Sequence, residues 1–301
     1  MSHKLKIILF VVCLSFAFPG IVNSEEKATH LVSANLTDET VSSSRPVTGI
    51  YALSFGAKNL LATYLSPLHY KGTSFGAEGN WSKAMPFNPR HAVMEFEAMI
   101  NFSNLLNPAK TARMIGFEGS FSWGMAWRTY LPWKIQFTAG GAVSLKGGAY
   151  YLARNSNNPV QVNANPSIDV TASVSRAFKI GKLPILVCDK VRLPSLGMFF
   201  SPEYGETYYE IYLGNRHNLI HPGWWGNNFC IDNLFMICLD FGKTAATIGY
   251  RFNATTQWAN SLNTKIFTNS LVIGVIPGGL GLKKQNVKKF SEIYTTYPTQ
   301  F

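Results

Sequence analysis

The chain has 301 residues, 47% of them hydrophobic and only 14% charged, with a formal net charge of +11. Soluble domains carry about 25% charged residues, so part of the outer surface is expected to face an apolar solvent. The basic residues are scattered rather than striped, which argues against a nucleic-acid partner.

Lys4 and Lys6 followed by the apolar run Ile7 to Phe18 read as a secretory leader, with cleavage after Val22-Asn23-Ser24. A lipoprotein reading at Cys13 is disfavoured by the bulky Phe10, Val11 and Val12 before it. Residues 25–46 are polar and read as a periplasmic lead-in. Beyond the leader no apolar run reaches the roughly eighteen residues of a transmembrane helix. The other structure that spans a bilayer is a closed β-barrel, because every backbone polar group must be paired internally.

A period of two recurs along the rest of the chain. In 92–102, Ala92, Met94, Phe96, Ala98, Ile100 and Phe102 share one face. In 115–127, Ile115, Phe117, Phe121, Trp123, Met125 and Trp127 oppose Glu118, Ser120 and Ser122. Such a strand can turn its apolar face outward to lipid. Ten strand candidates follow: 47–56, 71–82, 91–104, 112–128, 133–151, 160–177, 183–200, 228–241, 244–257 and 263–276. Their length matches the roughly ten-residue alternating segments of membrane barrels. The expected fold is all-β, an antiparallel transmembrane barrel over 47–276. Eight strands result if two weak segments are loops, and twelve if 29–37 and 206–213 also pair.

With the lead-in in the periplasm, the connections after even strands are short (83–90, 129–132, 178–182 and 242–243), while 57–70 and 201–227 form outer loops. This is the asymmetry of outer-membrane barrels. The basic tail 277–301 is expected to lie in the periplasm, or to act as an assembly signal through its aromatic end.

The polar faces carry Glu95, Glu97, Glu118, Arg128, Lys134, Asp169, Asp232, Asp240 and Arg251. A ten-stranded bore is narrow, so these charges are expected to pair and plug it, with a lumen site or small pore as the alternative. The loop 201–227 holds Tyr208, Tyr209, Tyr212, Trp224 and Trp225, suited to stacking on sugar rings or resting at the headgroup level. His217 and His221, four positions apart and preceded by Glu206, form a conceivable metal or acid–base set, though ordinary loop histidines are the preferred reading. Cys188, Cys230 and Cys238 form neither a disulfide framework nor a zinc motif, although one bond between two of them remains open.

T-Y-L-S-P-L-H-Y-K-G (63–72) and Y-Y-E-I-Y-L-G-N (208–215) resemble motifs of an uncharacterised Bacteroidota family of outer-membrane β-barrel proteins. The resemblance covers roughly 47–276 and implies a barrel and an outer-membrane home, but no activity. The expectation is a structural or accessory barrel in outer-membrane lipid, with outer loops that bind a glycan or a protein. No catalytic residue, metal or cofactor is expected. The other readings are a small passive channel and a lipid- or peptide-directed enzyme using His217, His221 and Glu206.

Overall fold

The computed structural model describes residues 43–156, 158–280 and 292–298. The leader (1–24), most of the lead-in (25–46), the segment 29–37 and part of the tail lie outside the described residues. The strands are β1 (Thr48–Ala62), β2 (Ser66–Ala84), β3 (Ala92–Leu106), β4 (Arg113–Leu131), β5 (Ile135–Leu152), β6 (Val160–Ile180), β7 (Leu183–Phe200), β8 (Ile220–Trp224), β9 (Asn228–Asp240), β10 (Thr244–Ala259) and β11 (Leu262–Pro277).

Neighbouring strands in this sheet pair antiparallel. The first and last zip together from Tyr51↔Val275 to Ala62↔Thr264, and β7 pairs with β9. The result is a closed barrel of ten strands with β8 as an extra short strand beside β7.

The alternation seen in the sequence fixes which face is which. Along β4, Phe117 is 57% and Trp127 52% exposed, while Met114 and Arg128 are buried. The same inversion, large apolar side chains outward and small or polar ones inward, holds for Leu53, Phe75, Val143, Val170 and Ile273. Register locks this arrangement, because a one-residue slip would turn every apolar side chain into the lumen.

Each of the ten strand candidates is a strand, and the eight-strand alternative fails. Several ends differ. Residues 57–70 are not a loop: β1 continues to Ala62 and β2 begins at Ser66, leaving only 63–65 between them. Lys58 is the reason that alternation stops early in the sequence. It looks like a loop residue, but its side chain points into the bore, where it is paired with Glu118. Residues 206–213 form no strand. Instead α1 (Tyr208–Tyr212) is a single helical turn closed by a capping box: the Glu210 N–H donates to Thr207 Oγ1 (3.3 Å), and the Thr207 N–H to Glu210 Oε2 (2.7 Å). The long connection is therefore 201–219, at the end of the barrel called here the loop end.

The opposite, tail end carries short connections. A two-residue parallel ladder joins Ser43–Ser44 to Glu292–Ile293 there. Arg128, 1% exposed, donates from Nε to the Arg90 carbonyl (2.5 Å), from Nη2 to that of Pro89, and from Nη1 to those of Thr295 (2.5 Å) and Thr296 (3.1 Å). Gln136 Nε2 donates to the Thr296 carbonyl as well (3.0 Å). The described part of the tail thus folds back onto the barrel end, and Tyr297 packs on the apolar layer formed by Ile50, Leu186, Met236, Val272 and Ile276.

Candidate functional site: a chamber inside a filled barrel

Strands from all sides send charged residues toward the barrel axis, where water is scarce and each charge needs a partner. Above the Tyr297 layer lies an ionic cluster. Arg251 on β10 bonds Asp232 through Nε (3.0 Å), Glu78 through Nη1 and Glu97 through Nη2. Glu97 on β3 also takes Arg192 from β7, and Arg192 Nη1 donates to Ser122 Oγ (3.0 Å). Lys190 lies 2.7 Å from Glu95 and 3.8 Å from Glu97. Each partner answers the other's burial. Arg251 and Glu97 sit on opposite walls, so their bonds span the lumen.

Nearer the loop end Lys58, 2% exposed, pairs with Glu118, which also accepts the Tyr150 hydroxyl. Around them Leu60, Leu65, Tyr70, Leu105, Met114, Leu152 and Ile266 form an apolar plug. Gln161 on β6 reaches Thr264 on β11 (Nε2–Oγ1 3.0 Å), a bond that pinches the mouth. Between the two layers remains a cavity of about 100 Å³ lined by Asn101, Glu118, Ser120, Lys146, Asn163, Asn165, Asn253 and Gln257, among others.

Of the residues singled out in the sequence, Glu95, Glu97, Asp232 and Arg251 come together. Glu118 belongs to the second group. Asp169 is fully buried and accepts from the Ser144 (2.7 Å) and Ser167 (2.6 Å) hydroxyls. Asp240 sits at the tail end, accepting from the Gly242 N–H (2.8 Å). Arg128 joins the tail rather than the cluster, and Lys134 lies exposed in the β4–β5 turn. Lys58, Glu78, Lys146, Lys190 and Arg192 escaped notice in the sequence. Strict alternation would have flagged them, because each is an inward position of its strand.

One comparison bears on what this architecture is. The family model "Protein of unknown function (DUF3316)" matches residues 7–286. The chain belongs to this family. A comparison with curated proteins finds no match.

The aromatic loop of this DUF3316 protein is a folded cover with an exposed rim. Tyr64 donates from its hydroxyl to the Glu206 carbonyl (2.7 Å), and Asn158 bonds both that hydroxyl and that carbonyl. Tyr208 accepts the Val162 N–H at its hydroxyl (2.8 Å), meets Tyr64 edge-on (centroids 6.0 Å) and stacks on Phe200 (6.4 Å). Burial pushes the Tyr208 phenol up to about 12 and raises that of Tyr64. Tyr209 and Tyr212 are 68% and 80% exposed, and Trp224 and Trp225 more than half exposed.

His217 and His221 do not form a set with Glu206. His221 Nε2 sits 3.3 Å from the Ser201 carbonyl and 3.2 Å from Asn260 Nδ2, with its ring against Phe199. Glu206 is consumed by the loop, accepting from Asn215 Nδ2 (2.8 Å) and the Glu203 N–H (3.0 Å). His217 is exposed. Among the described residues no group of three or more histidine, cysteine or acidic side chains is placed to hold a metal. Cys188, Cys230 and Cys238 are buried free thiols.

Proposed function

We propose that this protein is a non-conducting accessory barrel of the Gram-negative outer membrane, with its tail end in the periplasm and its loop end outside. The outward apolar belt supports a lipid surrounding, since a soluble barrel would expose charge there. The observation that carries the rest is the cluster in which Arg251 bonds Glu78, Glu97 and Asp232 across the lumen. Among the described residues, paired charges and the apolar plugs occupy the lumen at successive levels. Function then falls to the outside, where Tyr209, Tyr212 and Trp224 offer flat amphipathic rings to a glycan or a partner protein.

Reconstitution in planar bilayers, with outer-membrane fractionation and heat-modifiable gel migration, tests this. The expected result is a heat-modifiable outer-membrane protein with no steady openings. Steady openings would instead make it a small passive channel.

A further inference from the structure

The barrel wall has one seam. The β7–β9 ladder runs from Ile185↔Leu239 to Arg192↔Asp232 and stops. On that side β7 is next paired at Leu196, against Trp224 of β8. Leu193, Pro194 and Ser195 have no ladder partner there, and neither have Asn228 to Ile231 on their β7 side. At about 3.3 Å per residue the gap is roughly 13 Å long. Pro194 brings no N–H to the ladder, so the break costs less here than elsewhere. On the other side of β7 the β6 register also shifts, between Ile168 and Asp169. Across the gap the Trp225 indole N–H donates to the Pro194 carbonyl (2.8 Å). Exposed Ile168, Leu196 and Phe229 flank it on the outside.

The chamber is walled by β1, β3, β4, β5, β6, β10 and β11 and approaches the seam through two of its lining side chains. Asn165 and Lys146, both in its lining, reach the seam strand: Asn228 Nδ2 donates to Asn165 Oδ1 (3.3 Å) and Lys146 Nζ to Cys230 Sγ (3.1 Å). Lys58, Lys190, Arg192 and Arg251 each pair with a carboxylate. Lys146 has no carboxylate oxygen within 4.0 Å among the described residues: its hydrogen-bond partner is a thiol, and the carboxylates of Asp232 and Glu118 act on it only from farther away.

We infer that the seam is a lateral portal through which an anionic single-chain amphiphile places its headgroup on Lys146. The chamber holds about 100 Å³, roughly three waters at ~30 Å³ each. That is room for a carboxylate and its first carbons, not for a whole lipid. The alkyl chain stays in the seam and the surrounding bilayer, against Leu196 and Phe229. The carboxylate replaces the Cys230 thiol as partner of Lys146, a charge-assisted bond for a weak one, while the amide N–H groups of Asn163 and Asn165, whose oxygens already accept from Gln161 and Asn228, donate to the head. Trp225 is the latch.

This inference rests on the outer-membrane reading, which fractionation tests separately. The probe is oleate, added to the purified full chain in a non-ionic detergent, with retention read by native mass spectrometry. One oleate per chain is expected. Lys146→Met should cut retention at least tenfold, and Lys146→Arg should restore most of it. Trp225→Ala should speed uptake several-fold, because it removes the latch without touching the lumen. Heat-modifiable migration of each variant shows that the barrel is intact. Retention unchanged in Lys146→Met, or uptake unchanged or slower in Trp225→Ala, overturns the proposal.

Discussion

Arg251 on β10 and Glu97 on β3 meet across the width of the barrel, and the same guanidinium also holds Asp232 on the adjacent strand at 3.0 Å. With Glu78 on β2, one side chain therefore bonds carboxylates from three separate strands. Removing it leaves buried anions with fewer cations, a situation that costs about 3–5 kcal/mol. Arg251→Ala is expected to lower folding stability by about that amount, measured as urea unfolding from lipid vesicles. Replacing Arg251 together with Glu78 and Asp232 by apolar residues, with Glu97 kept as the partner of Arg192, should recover a large part of the loss. Failure of that rescue would mean that the cluster holds the barrel's shape and not only its charge.

The two faces of β4 make opposite predictions for neighbouring glycines. A Cβ on Gly119 would meet only the Met99 carbonyl oxygen at 3.8 Å, whereas on Gly116 it would lie 2.5 Å from Ser103 Oγ and 2.6 Å from the Tyr150 ring. Gly119→Ala should leave stability and assembly close to wild type. Gly116→Ala should cost about 1–3 kcal/mol through overpacking. Similar losses at both sites in the same unfolding assay would contradict the outward placement of Gly119.

Lipid contact is tested on the outer face. Phe121 is exposed and apolar, with aromatic contact to Phe96 at 4.7 Å. Phe121→Arg should destabilise the inserted barrel by about 2–4 kcal/mol if this position lies near the bilayer midplane. In detergent the penalty should shrink, because micelles deform around a charge. An equal effect in lipid and detergent would point to lost packing with Phe96 alone.

The ten strands were legible in the sequence, because period-two alternation over about ten residues or more fits little besides a strand. Their ends were not. Alternation weakens where inward positions hold Lys58, or at Ser66-Pro67, and so resembles a turn. The aromatic and branched residues of 206–213 suit a strand as well, but the Thr207–Glu210 capping box wins locally and makes a helical turn. The acids of the lumen were half legible: Glu97 and Asp232 stand out against small neighbours. Their partners Arg192 and Lys190 lie in the strand that slips at Pro194, where the inward face is hard to follow. No sequence spacing encodes that β3, β7 and β10 face one another across a lumen.

Alkali should loosen the loop cover before the barrel. The Tyr208 phenol is pushed up to about 12 by burial. An unfolded tyrosine ionises near ~10. Below about pH 10 the stabilisation from the neutral phenol is fully present, and it is lost as pH rises from about 10 through 12. Absorbance titration at alkaline pH should show the transition of Tyr208 late, together with increased protease cleavage in 201–219. Tyr208→Phe removes one titrating hydroxyl and should reduce that pH-dependent cleavage, with Tyr64 accounting for what remains.

The seat of Tyr297 is made by Ile50 and Ala52 of the first strand, Val272 and Ile276 of the last, and Leu186 and Met236 from the far wall. No open sheet has these residues around one point. The tail can therefore lodge only after the first and last strands have met, which puts its docking at the close of the assembly pathway. Protection of residues 292–298 from protease then becomes a clock for barrel closure.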